Sequence, residues 1–161
     1  MGRNEEGRKA RRPRRSSRSR ETECLFVYGT LRAASGHPST EILKGRADWM
    51  GMASMPGRLY AVGDYPGAVH RPGSSLVRGE VYRLREPAEV FRLLDRYEGV
   101  HEPASRREFR RVRKRVRLEN GEKRTAWVYL YVRSIRGLPI IDSGDYLSGS
   151  PARSRRKPSA S

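Results

Sequence analysis

Cys24-Leu-Phe-Val-Tyr-Gly-Thr-Leu-Arg32 begins with five β-favouring apolar residues and breaks at Gly29, which is how a buried strand feeding a tight loop reads. Downstream, Val77 to Leu84 alternates well enough for a second strand, with Val77, Val81 and Leu84 as its apolar points around Gly79. The next segment is helical: Pro87 suits a first turn, Val90, Leu93, Leu94 and Tyr97 recur at i, i+3, i+4 and i+7, and Gly99 stands where a C-terminal cap belongs. This predicts an amphipathic helix ending at Glu98.

From Arg111 to Leu118 the parity is clean. Val112, Val116 and Leu118 share one face and Arg111, Arg113, Arg115 and Arg117 the other. Glu119-Asn-Gly-Glu122 supplies an Asn-Gly turn, and Ala126 to Val132 alternates aromatic and aliphatic residues, so residues 111–132 read as a hairpin. Between the first loop and Val77 the signals are weaker. Ser39 or Thr40 caps a short turn ending at Gly45, a bent strand or hairpin lies around Ala47–Met55, and another strand lies about Arg58–Ala61. Short strands with one good helix, lacking regular βαβ alternation, argue for an α+β domain on a curved sheet or barrel.

The 161 residues leave room for one such domain. The formal charge of +17 suggests a polyanion binder until it is located. Residues 1–22 carry nine Lys/Arg against three Glu, a net of +6, and residues 149–161 carry four Lys/Arg and no acid, a net of +4, which leaves +7 for residues 23–148. Both tails are rich in Arg, Ser and Pro and lack the apolar residues that offset ordering entropy, so they are expected to be disordered basic tails around a domain at 23–148. A single Cys24 forms no internal disulfide, and no apolar run approaches the ~20 residues of a membrane span. A cytoplasmic protein is the expectation; the Arg- and Ser-rich start also fits an organellar transit peptide.

Five segments then line up in order: Leu25-Phe-Val-Tyr-Gly-Thr-Leu-Arg32; Gly57-Arg-Leu-Tyr60 with Gly63-Asp-Tyr-Pro66; Val77-Arg-Gly-Glu-Val-Tyr82; Leu94-Asp-Arg-Tyr-Glu-Gly99; and Ser143-Gly-Asp-Tyr146. This series resembles the γ-glutamylcyclotransferase-like family, in particular the branch of γ-glutamylamine cyclotransferase, over roughly residues 24–147. The resemblance implies a small mixed β-barrel with flanking helices, no metal and no organic cofactor. It also implies that the loop Tyr28, Gly29, Thr30, Leu31 binds a small-molecule γ-glutamyl substrate and that Glu98 is the acid/base. Many relatives have Tyr-x-Arg after the catalytic helix; this chain has Phe109-Arg110-Arg111, so the hydroxyl is missing and the Arg is kept.

The implied reaction is intramolecular. The α-amine of a γ-glutamyl compound attacks its own γ-carbonyl, closes a five-membered lactam and expels an amine, giving 5-oxoproline. Holding the substrate bent supplies much of the acceleration. A carboxylate must take the ammonium proton and return it to the leaving nitrogen; Glu98, at a helix C-terminus whose partial negative charge disfavours ionisation, should have a raised pKa. Successive N–H groups of the Tyr28–Leu31 loop form an anion site for the α-carboxylate or the developing oxyanion, to which Arg32 or Arg111 adds charge.

Other chemistries find less support. His37, His70 and His101 lack ligand spacing and a Cys partner for zinc, and no nucleophile elbow or phosphate-binding glycine loop is present. Asp95 reads as a structural acceptor. The remaining alternative is a non-catalytic protein that reuses the scaffold to bind a ligand or a polyanion such as nucleic acid, through the tails and the eight Lys/Arg among residues 106–117. Only Phe109 interleaves that cluster, whereas single-strand binders use several aromatics.

Overall fold

The computed structural model describes residues 23–32, 35–73 and 75–147. The two basic tails, on which the expectations of disorder and of a transit peptide fall, lie outside them. Among the described residues there are six strands and one α-helix, in the order β1 (Cys24–Val27), β2 (Ala47–Val62), β3 (Tyr65–His70), β4 (Leu76–Leu84), α1 (Pro87–Tyr97), β5 (Phe109–Leu118) and β6 (Lys123–Tyr131), with a 3₁₀ turn at Pro38–Ile42. Strand order is β3-β2-β4-β1-β6-β5, and β2 also pairs with β5. Five strands therefore close a ring, from which β3 projects as the second arm of a hairpin. The β1–β6 contact is parallel and the other pairings are antiparallel, so the barrel is mixed.

Two apolar clusters explain why β1 is apolar at every position. Phe26 points into the barrel with Met55, Leu59, Val77, Val81 and Val128. Its neighbours Leu25 and Val27 point outward, beneath α1, with Leu84, Val90, Leu94 and Tyr129. A strand buried on both faces loses the polar half of the usual alternation. At Gly79 on β4 a side chain has no room, since an added Cβ would lie 2.2 Å from the Val27 carbonyl oxygen.

The segment of weaker signals resolves differently from expectation. Ala47–Met55 and Arg58–Ala61 are not separate strands; they belong to one 16-residue strand, β2, bent where its register with β4 slips between Trp49 and Gly51. Glycine reads in sequence as a stop, but here it absorbs the curvature of a closing sheet without breaking it. The strand β3 escaped the sequence reading because Tyr65-Pro-Gly-Ala carries turn residues; as an edge arm it tolerates Pro66. The turn before β2 is capped by the His37 ring, which accepts from the Ser39 N–H, rather than by Ser39 or Thr40.

Helix α1 and the β5–β6 hairpin lie where expected, but the buried stripe of α1 is rotated. Val90 and Leu94 are buried while Tyr97 is 44% exposed. The inward row is thus Val90, Leu94, Glu98, spaced by four. Gly99 (φ 68°) takes the left-handed cap, with the Gly99 N–H donating to Arg96 and the Val100 N–H to Asp95.

Candidate active site

A cavity of about 320 Å³ opens where the two apolar clusters meet at one end of the barrel. Its wall takes Phe26 and Tyr28 from the inner cluster and Val27, Leu31, Phe109 and Tyr129 from the outer one. Gly29 and Thr30 continue that wall, and Glu98 closes it from the end of α1. The carboxyl that ends the amphipathic helix therefore shares one cavity with the glycine loop after the first strand.

The loop is fixed from several sides. Tyr28 is buried; its hydroxyl donates to the Tyr129 carbonyl (2.7 Å) and accepts from the Ala68 N–H (3.1 Å), locking β1 to β6 and β3. Desolvation drives its pKa far above the ordinary tyrosine value, so the hydroxyl stays protonated. Gly29 lies against Pro66, whose Cγ would stand 2.8 Å from an added Cβ. The Thr30 carbonyl accepts from Ser35 Oγ (2.6 Å) and Ser39 Oγ (3.3 Å), and Thr30 Oγ1 meets the Tyr97 hydroxyl at 3.2 Å. The N–H groups of Gly29, Thr30 and Leu31 donate to no acceptor among the described residues.

Glu98 is half-buried, and its pKa rises from 4.5 to about 7, first because the pocket wall strips its water and second because Glu108 places a like charge nearby. Such a group exchanges a proton near neutrality, the condition for acting as base and then as acid.

The two arginines are elsewhere. Arg32 is buried in an ion network, with Nε 3.3 Å from Glu80 Oε2 and Nη1 2.8 Å from Asp145 Oδ1. Arg111 forks onto Asp95 and stacks on Phe91 and Trp127. Neither lines the cavity, so the expectation that they add charge at the substrate carboxylate is corrected: a guanidinium beside a carboxylate of its own chain satisfies that partner first. Asp95 is the structural acceptor expected, taking bonds from Arg111 and from the Tyr129 hydroxyl at 2.7 Å. The last sequence motif is tied to segments beside the site: Asp145 pairs with Arg32, and the Tyr146 hydroxyl donates to the carbonyl of Asp64, a lining residue.

Sequence reasoning missed Glu108, Tyr65, Tyr97 and His37, all of which line the cavity. The Tyr65 hydroxyl donates to Glu108 Oε1 at 2.5 Å, next to Phe109, where the expected tyrosine hydroxyl is missing. A lone acid inside the basic stretch 106–117 was the available signal for Glu108. Among the described residues no three His, Cys, Asp or Glu side chains group as metal ligands, and no helix is long and apolar enough to cross a membrane.

A family model described as Gamma-glutamyl cyclotransferase, AIG2-like matches residues 25–148. The chain is 35% identical over 132 residues to the Gamma-glutamylcyclotransferase family protein YtfP of Escherichia coli, covering 76% of this chain and 95% of that protein. Among solved structures, protein PH0828 from Pyrococcus horikoshii superposes with a TM-score of 0.60 at 26% identity, over 84% of this chain and 99% of the other. An AIG2-like protein from Mus musculus gives 0.63 at 24% identity, over 87% and 98%, a likeness of fold.

Proposed function

The chain belongs to the gamma-glutamyl cyclotransferase, AIG2-like family, and from that premise we propose that it converts a γ-glutamyl-amine or γ-glutamyl-amino acid to 5-oxoproline and the free amine, with Glu98 moving the protons. The observation that carries this reading is the shared cavity: a carboxyl with a pKa of about 7 lines it together with a loop whose three successive N–H groups have no acceptor among the described residues.

In this mechanism the substrate α-carboxylate or the γ-carbonyl oxygen lies against the N–H groups of Gly29, Thr30 and Leu31, which need no reorganisation as charge develops. Glu98 takes a proton from the α-ammonium. The freed amine attacks the γ-carbon, Glu98 delivers that proton to the amide nitrogen as its C–N bond breaks, and the second proton of the attacking nitrogen passes through Glu98 to the departing amine, which leaves as an ammonium. The lactam nitrogen keeps one hydrogen and the enzyme ends as it began. The apolar wall of Phe26, Leu31 and Phe109 keeps water from competing with the internal amine.

Purified protein incubated with a panel of γ-glutamyl amines and amino acids, with mass detection of 5-oxoproline, tests the proposal. Turnover that survives Glu98→Gln unchanged removes the assigned mechanism, and absence of 5-oxoproline from every conjugate removes the activity.

A second reading, a polyanion binder, draws on one observation: Arg113, Arg115 and Arg117 form an exposed row along β5. It predicts nucleic-acid binding that weakens steeply with salt and with charge removal from that row.

A further inference from the structure

The cyclisation mechanism uses Glu98 and the loop N–H groups but leaves the cavity's other buried-side carboxylate, Glu108, without a task. Building on that reading, we propose that Glu108 selects the leaving group, taking the ammonium of a γ-glutamyl conjugate whose amine carries a second positive charge, a diamine or polyamine.

Glu108 sits in the most basic stretch of a chain of net charge +17, with Arg106, Arg107, Arg110 and Arg111 within three positions of it. Yet no Lys or Arg among the described residues pairs with it. Arg106 turns to the Glu102 carboxylate, Arg107 to the Glu102 carbonyl, and Arg111 to Asp95. Among the described residues its side chain instead bonds the neutral Tyr65 hydroxyl, which holds Oε1 at 2.5 Å and brings no cation to this part of the cavity wall.

The lining as a whole agrees. Its charged side chains are Asp64, Glu98 and Glu108, and its described residues include no Lys or Arg. An anionic leaving group entering this cavity meets like charge, whereas a cation relieves the repulsion between Glu98 and Glu108. Glu98 is committed to the α-amine and Asp64 is exposed, so Glu108 is the carboxylate left to meet the far end of the amine.

Three conjugates of similar length separate charge from shape: γ-glutamyl-1,4-diaminobutane (cationic), γ-glutamyl-pentylamine (neutral) and γ-glutamyl-4-aminobutyrate (anionic). Release of 5-oxoproline is measured for each. In parallel, calorimetry measures binding of the corresponding glutaryl conjugates, which lack the α-amine and cannot cyclise. The wild-type protein should favour the diaminobutane over the pentylamine compounds by about tenfold or more in kcat/KM and in Kd, with the aminobutyrate compounds weakest. In Glu108→Gln the binding ratio should fall to roughly twofold or less, with the pentylamine affinity nearly unchanged and Asp64→Asn retaining the preference.

Equal binding of the three glutaryl compounds to the wild-type protein overturns the proposal without recourse to a variant. So does a preference that persists in Glu108→Gln or vanishes in Asp64→Asn. A loss in Glu108→Gln confined to compounds bearing the α-amine assigns Glu108 to that amine and also overturns it. If the charge preference in binding stands while no conjugate yields 5-oxoproline, selection holds and the cyclisation reading falls. If all three conjugates cyclise at equal rates, the reverse is true.

Discussion

Asp95 and Arg111 meet through two parallel contacts of 2.9 and 3.1 Å, and this fork pins the last turn of α1 to strand β5. Phe91 and Trp127 cover the guanidinium at 4.2 and 4.8 Å from their ring centroids, and Asp95 also holds the Tyr129 hydroxyl. Because Glu98 follows Asp95 by one turn, the clamp sets where the carboxyl of the site stands. Arg111→Lys keeps the charge but loses the fork and the flat stacking surface. It should cost on the order of 2 kcal/mol in urea unfolding and lower kcat more than it raises KM.

Removing the proton carrier should be more selective. Glu98→Gln preserves shape and should leave the fold intact by circular dichroism while reducing kcat by roughly 10²- to 10⁴-fold, the usual contribution of a positioned acid/base.

The pH dependence follows from the same residue. With Glu98 at about 7, kcat/KM should rise as the carboxyl loses its proton, with a midpoint near neutrality. Glu108 supplies part of that elevation, so Glu108→Gln should move the midpoint to lower pH when the neutral pentylamine conjugate is followed.

Stability should move in the opposite direction to activity. The folded protein keeps the Glu98 proton up to about pH 7, whereas the unfolded chain releases it near 4.5, so between these values the unfolded state binds fewer protons and stability falls as pH rises. Glu98→Gln should therefore be more stable than the wild-type protein above pH 7, by on the order of 1–2 kcal/mol for a half-buried group, and equal to it below pH 4.5. Urea titrations at pH 4 and pH 8 compare the two.

Gly79→Ala probes the barrel rather than the site. An added Cβ would stand 2.2 Å from the Val27 carbonyl and 2.9 Å from the Phe26 ring, so β1 and β4 must separate. Destabilisation of about 2–3 kcal/mol is expected, read as a lower urea midpoint.

The barrel's framework was legible wherever local pattern and burial agree. Phe26 and Leu25 face opposite cores, and the resulting apolar run announces a strand; Val116 and Arg117 announce β5 by parity. Pattern failed at Gly51 and Pro66, where residues that punctuate most chains serve a bend and an edge. Of the site, Glu98 and the loop from Tyr28 to Leu31 stood out because a motif series placed them. Tyr65 and Glu108 did not, because their meeting joins the first residue of β3 to the residue before β5 across 43 positions of sequence, a distance no local window spans. Arg32 and Arg111 misled for a related reason: a charge is visible in sequence, but the carboxylate that satisfies it is 48 or 16 residues away.

The parallel seam between β1 and β6, registered at Leu25 and Trp127, joins the first described strand to the last. During synthesis Tyr28 waits for its partner carbonyl at Tyr129, 101 residues later, so the cavity wall has no local precursor. Shutting so long a loop is entropically slow and cannot be anticipated by either hairpin alone. Ligand competence should therefore emerge as a late, all-at-once event of folding, and a ribosome stalled before β6 should display an open ribbon without a pocket.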